Sequence, residues 1–181
     1  SPFAPAGWRE TLGDRLLVND DVFEWTDLPS SVAVVGSGVI GLELAQALHR
    51  LGVTVRLYGR SRFIGPLSDP VVAAEATRIF SEEVPVSLGV KVTPSLTEDG
   101  RVLVVSESAD GVRSTETFDY LIAATGRKPN MFGIGLDTAG IGLDGKGLPI
   151  VDRATGQGTC PHIFIAGDAN LNRYGNNSPT L

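Results

Sequence analysis

The pattern of apolar and polar positions changes period twice along the 181-residue chain. Residues 32–35 form a short β-branched run, as expected of a strand buried on both faces. Three glycines (Gly36, Gly38 and Gly41) follow, and Ile40, Leu44, Ala47, Leu48 and Leu51 then recur at helical spacing, with Gly52 placed to end the helix. "VTVRLY" (53–58) reads as a second strand. "DPVVAAEATRIF" (69–80) opens with Asp69 as an N-cap and Pro70 at the first helical position, which predicts a second helix. Beyond Ser81 the period becomes alternating. "VPVSL" (84–88), "VKVTPSLT" (90–97), "RVLVVSES" (101–108) and "VRSTETF" (112–118) read as strands, with hairpin turns expected at "EDG" (98–100) and "ADG" (109–111). "DYLIAATG" (119–126) is another buried strand ending in a small-residue turn, and "HIFIAGD" (162–168) reads as a last one. Residues 127–160 hold much Gly and Pro with little periodicity, and the Asn-rich tail is expected to fray. Residues 1–30 are rich in Pro, Gly, Trp and Asp, with a short strand expected in "DRLLVND" (14–20) and a linker in "DLPSS" (27–31).

Strand, helix, strand, helix, strand, antiparallel ribbon, strand is an α/β, Rossmann-like layout: a parallel sheet in which a β excursion replaces one crossover helix. It fits residues 31–126. The flanks, 1–30 and 127–181, read as parts of something else.

Composition narrows the class. A net charge of −6 argues against a nucleic-acid surface. The single cysteine, Cys160, excludes an internal disulfide, a zinc cluster and a Cys-x-x-Cys pair. No apolar stretch approaches the ~18 residues of a membrane span, and the N-terminus lacks a signal pattern, so a cytoplasmic protein without membrane partners is expected.

The candidate chemistry sits at the glycines. Gly36, Gly38 and Gly41 form G-x-G-x-x-G directly after a strand and at the start of a helix. In that context the first glycine permits the tight turn, the second lets a pyrophosphate approach the backbone, and the third lets the helix pack on the sheet. Backbone N–H groups of Gly36, Ser37, Gly38, Val39, Ile40 and Gly41, with the helix dipole, would meet the phosphates. About twenty residues on, where an acid would accept ribose hydroxyls, the chain instead reads Gly59, Arg60, Ser61, Arg62. Two guanidiniums and a hydroxyl there suit a 2′-phosphate, hence NADP over NAD; the alternative is that the arginines are solvated loop charges. Glu43, in the first turns of the helix, is stabilised by the dipole without needing a ligand. His49 reads as a surface residue compensating the dipole, and Trp8, Phe23 and Trp25 as packing residues. Cys160 and His162 flank Pro161 with no base partner in view, so no catalytic pair is assigned.

"VAVVGSGVIGLELAQALHRLG", "LIAATGRKPN" and "IFIAGDAN", in that order, resemble the pyridine nucleotide-disulfide oxidoreductases, the flavoproteins of the dihydrolipoamide dehydrogenase, glutathione reductase and mercuric reductase type. The resemblance implies an NAD(P)-binding domain inserted into a split FAD-binding domain, with 1–30 as the crossover out of the flavin domain and 127–181 as the return. It implies nicotinamide dinucleotide and FAD as cofactors, a disulfide or thiol substrate, and a homodimeric parent. Carried over by position, Gly36 to Gly41 hold the pyrophosphate and Glu43 lies beside the nicotinamide. Val92 and Gly126 line the nucleotide, and Gly167 with Asp168 belongs to the flavin site. The chain shows neither the family's redox-active cysteine pair nor its flavin glycine motif, and it carries Gly59 where dihydrolipoamide dehydrogenases have Glu. Two other readings stay open: the nucleotide domain of an NAD(P)H oxidase or ferredoxin reductase, and a stand-alone nucleotide-binding sensor module.

Overall fold

A computed structural model gives the fold; it describes residues 2–127 and 129–170, so the Asn-rich tail lies outside the described residues. The chain divides into two compact units, Pro2–Arg127 and one within Lys128–Leu181.

The first unit contains α1 (Trp8–Leu12), β1 (Leu16–Leu17), β2 (Ser31–Val35), α2 (Val39–Arg50), β3 (Thr54–Gly59), α3 (Pro70–Glu83), β4 (Val86–Leu88), β5 (Val90–Leu96), β6 (Val102–Ser108), β7 (Arg113–Phe118) and β8 (Tyr120–Ala123). Five strands form a parallel sheet in the order β1-β8-β2-β3-β4, and β5-β6-β7 form a separate antiparallel sheet. The parallel sheet is sandwiched. Ala33 and Val35 of β2, with Tyr58, Leu121 and Ala123, pack against Val102, Val104 and Phe118 of the antiparallel sheet and Leu12 of α1. Val32 and Val34 face the other way, with Val55, Leu57 and Ile122, onto Ala45 and Leu48 of α2. β2 is therefore buried on both faces, which is why its sequence is apolar without alternation.

Local chemistry sets most element ends. The Asp69 carboxylate accepts from the N–H groups of Val71 (2.8 Å) and Val72 (3.0 Å), capping α3 at Pro70 as the sequence predicts. Gly52 (φ 90°) ends α2, and Gly100 (φ 77°) and Gly111 (φ 81°) make the two hairpin turns. Pro94 lies in β5, an edge strand, where its missing N–H costs no ladder bond.

Three expectations are corrected. The face of α2 turned to the sheet is Gly41, Ala45 and Leu48, while Ala47 and Leu51 are exposed. Gly41 is small because α2 comes so close to the turn there that a Cβ would overlap the Gly36 carbonyl oxygen. "HIFIAGD" is not a strand: Phe164 makes one isolated bridge to Gln157, and Gly167–Ala169 is a 3-10 turn. The 156–158 backbone meets it through Gly158 N–H to Ile163 C=O and Ile165 N–H to Gly156 C=O, both 2.8 Å. Phe23 is 79% exposed rather than packed, whereas Trp8 and Trp25 do pack against the two cores. β1 pairs in parallel with β8 (Leu16↔Leu121, Leu17↔Ile122), and residues 2–30 belong to the first compact unit.

Polar ties join the sheets. Arg56 pairs with Glu116 (2.7 Å), and the buried Tyr58 hydroxyl donates to the same carboxylate (3.2 Å). Burial, and then the Glu116 charge, push the Tyr58 phenol well above its usual range. A raised folded-state value means the Tyr58 contribution to stability is fully present below the unfolded value of about 10 and lost as pH rises above it. Alkaline ultraviolet titration is expected to show one tyrosine ionising only as the protein unfolds, a feature absent in Tyr58→Phe. Normal titration of every tyrosine in the folded protein would contradict this.

Candidate functional site

The glycine turn joins β2 to α2 at the carboxyl end of the parallel sheet. Gly36 (φ 123°) lies in a backbone region closed to most residues, and a Cβ there would overlap the Ala124 carbonyl. A Cβ on residue 41 would overlap the Gly36 carbonyl oxygen and come within 3.3 Å of the Ala124 methyl. Gly38 is different. It sits at φ −78° and ψ 179°, conformations open to any residue, and a Cβ there would meet nothing within 4 Å. Gly36 and Gly41 thus have internal reasons to be glycine, and Gly38 has none. The first N–H groups of α2 lack intrahelical acceptors, as at every helix start, and here they open onto exposed Gly38 and Val39.

The second rim is the end of β3 and the loop after it. Arg60, Ser61 and Arg62 are exposed, and among the described residues neither arginine is paired with a carboxylate; the Arg62 guanidinium lies 5.6 Å from the Phe63 ring centre. The loop is tied down by its backbone. Gly65 N–H donates to the Ser37 carbonyl (2.7 Å), Gly89 N–H to the Ser61 carbonyl (3.0 Å), and Ile64 N–H to the Thr77 hydroxyl (3.2 Å). The arginines therefore leave from a fixed platform beside the glycine turn.

On the opposite flank is a small cleft of about 180 Å³, lined by Asn19, Gly38, Val39, Ile40, Ala123, Ala124 and Gly126. This is below the roughly 300 Å³ at which small-molecule sites begin, so it suits one part of a long ligand rather than the whole. Of the predicted residues, Gly38, Val39, Ile40 and Gly126 meet here, with Gly36, Ser37 and Gly41 directly behind. Glu43 lies on the exposed side of α2. Val92 is half-buried against the core under the antiparallel sheet rather than in the cleft. Gly167 and Asp168 lie in the 3-10 turn of the second unit. Cys160, also in that unit, directs its thiol to the Ala139 carbonyl (3.2 Å). Asn19 was missed by the sequence reading. It reaches the cleft only because β1 pairs beside β8, which no local signal announces.

A parallel sheet with a glycine turn at the carboxyl end of its central strand, helix α2 on one face and an antiparallel sheet on the other, defines the class as a Rossmann-like α/β fold. Residues 7–180 match the family described as pyridine nucleotide-disulphide oxidoreductase, and the chain belongs to that family. It is 35% identical over 172 residues to a dihydrolipoyl dehydrogenase of Bacillus subtilis, covering 93% of this chain and 35% of that protein. A mercuric reductase of Lysinibacillus sphaericus is 31% identical over 160 residues, covering 86% of this chain and 28% of that one. Among solved structures, LpdA of Mycobacterium tuberculosis superposes with a TM-score of 0.70 at 30% identity, over 87% of this chain and 33% of that one. The HOCl-induced flavoprotein disulfide reductase RclA of Escherichia coli, as its Cu(II) complex, gives 0.74 at 25% identity, over 93% and 37%. The chain thus spans about a third of the length of the curated relatives it matches. Among the described residues, no helix is long and apolar enough to cross a membrane.

Proposed function

We propose that the chain is the NAD(P)H-binding part of an FAD-dependent, dihydrolipoamide dehydrogenase-like disulfide oxidoreductase, homodimeric as the parent protein, and that NADPH is preferred over NADH. One observation carries the nucleotide reading: Gly38 is bare although neither its backbone conformation nor its surroundings require glycine. Room kept open beside free helix N–H groups fits a pyrophosphate. When bound, the nicotinamide dinucleotide supplies hydride chemistry, and the redox reaction belongs to the cofactors. The residues of this chain bind and orient. The turn from Gly36 to Gly41 takes the pyrophosphate, and Arg60, Ser61 and Arg62 take the adenosine end. Glu43 and Gly126 lie toward the nicotinamide, with Asn19 added by the geometry of the cleft. Val92 supports the site from the core, and Gly167 and Asp168 contribute to FAD in the parent. The other reading, an NAD(P)H oxidase or ferredoxin reductase, shares the nucleotide site, and finding a redox-active cysteine pair in the parent protein would exclude it.

The preference has an expected size. Hydrogen bonds to charged groups contribute about 1.5–3 kcal/mol each, and exposure and salt reduce this, so NADPH should bind about ten- to a hundredfold more tightly than NADH at physiological ionic strength. Titration with both nucleotides, repeated on Arg60→Ala plus Arg62→Ala, checks it. Equal affinities, or a preference undiminished in the double variant, would sink the NADPH assignment.

A further inference from the structure

We infer that Glu116, on the antiparallel sheet, is a positioning residue for the dinucleotide turn: it holds the Tyr58 side chain, and Tyr58 in turn holds Gly36. This rests on the reading above, in which the turn from Gly36 to Gly41 takes the pyrophosphate.

Tyr58 is attached twice. Its carbonyl accepts from the Gly36 N–H (2.8 Å), one residue beyond the pair Val35↔Tyr58 that closes the β2–β3 register. That bond ties the start of the turn to β3. Its side chain points into the core between the two sheets, where the residue is 1% exposed. The ring meets Phe118 of β7 edge-on, with 6.3 Å between centres, and the hydroxyl donates to Glu116 Oε1 (3.2 Å). Arg56, two residues back on β3, fixes the same carboxylate, its Nε lying 2.8 Å from Oε2 and 2.7 Å from Oε1.

A phenylalanine would fill this place with no polar group to satisfy. A buried hydroxyl is costly unless bonded, so tyrosine commits β3 to the depth at which the phenol reaches Glu116. Side chain and carbonyl belong to one residue, so that depth also sets where the Gly36 N–H is held. The other flank of the turn has no slack. Ala124 N–H donates to the Val35 carbonyl (2.8 Å), and the Ala124 carbonyl lies where a Cβ on Gly36 would stand. Without the Glu116 carboxylate the phenol must find another partner, β3 shifts to allow it, and Gly36 moves with the Tyr58 carbonyl. The N–H groups at the start of α2 follow the turn, and a site of this kind tolerates little displacement.

The test is a cycle of Glu116→Ala and Tyr58→Phe in the intact protein, with Glu116→Gln as the conservative variant. Glu116→Ala is expected to weaken NADPH and NADH binding equally, by about tenfold, because the turn serves both. Glu116→Gln keeps an acceptor for the phenol and should restore binding to within about threefold of the parent. Tyr58→Phe keeps the packed ring and should weaken binding about threefold; adding Glu116→Ala to it should cost nothing further, since no hydroxyl is left unpaired. The Gly36 amide proton resonance reports the bond to the Tyr58 carbonyl, and a change in global stability leaves it in place. It should move upfield in Glu116→Ala and in Tyr58→Phe, but not in Arg101→Ala, which breaks the Arg101–Asp119 pair (3.3 Å) at the amino end of β2. Parent-like affinity in Glu116→Ala or Tyr58→Phe, or an undiminished Glu116→Ala loss in the Tyr58→Phe background, overturns the proposal. A parent protein that binds neither nucleotide overturns the reading above, and the role in binding with it. An unmoved Gly36 resonance overturns the hold of Glu116 on the turn and leaves that reading intact.

Discussion

Gly41→Ala is expected to destabilise the protein by about 3 kcal/mol or more, lowering the unfolding midpoint by about 10 °C. The added methyl would overlap the Gly36 carbonyl oxygen and press on the Ala124 methyl. Neither neighbour can give way cheaply. Gly36 is held by its N–H to the Tyr58 carbonyl, and Ala124 by its N–H to the Val35 carbonyl, both at 2.8 Å. α2 would have to lift from the sheet, taking Ala45 and Leu48 partly out of the core. Thermal melts followed by circular dichroism decide the matter; a midpoint within a degree or two of the parent would mean that α2 does not approach the sheet this closely.

The opposite separation of effects is expected three residues away in sequence, at Gly38. Gly38→Val should leave the midpoint nearly unchanged and weaken dinucleotide binding at least about a hundredfold. The side chain would stand in open space at φ −78° and ψ 179°, a conformation comfortable for a branched residue, so the fold has no complaint. The same space is where a pyrophosphate must come to reach the helix N–H groups. Losing two charge-assisted hydrogen bonds at about 1.5–3 kcal/mol each accounts for the size of the effect. Calorimetric titration of the folded variant is the check. Unaltered binding would place the ligand elsewhere, and loss of binding together with loss of the fold would assign Gly38 the same internal role as Gly41.

What could be read from sequence follows from the range of the interactions. The Asp69 cap and the turns at Gly100 and Gly111 depend on neighbours within a few residues, so their chemistry is visible in the string itself. The glycine motif was legible for the same reason, since its spacing encodes one turn. The face of α2 was legible in part: Leu44 and Leu48 pack on the core, whereas Ala47 and Leu51 are exposed and Gly41 and Ala45 lie buried in their stead. That Val92 packs against the core under the antiparallel sheet was not visible in the sequence, because it depends on how that sheet lies on the parallel one. Asn19 needed the long-range pairing of β1 with β8. A Cβ at residue 59 would meet Ser37 and Leu88, neighbours that no local signal in the sequence announces.

The most direct measurement is a titration of the isotope-labelled 181-residue chain with NADPH, following the backbone amide resonances. Seating of a dinucleotide on the glycine turn predicts saturable shifts concentrated at Gly38, Val39 and Ile40, with a second group at Ser61 and Arg62 that is weaker with NADH. Saturable binding that leaves the amides of 38–40 unmoved, or no saturable binding by either nucleotide, would contradict it.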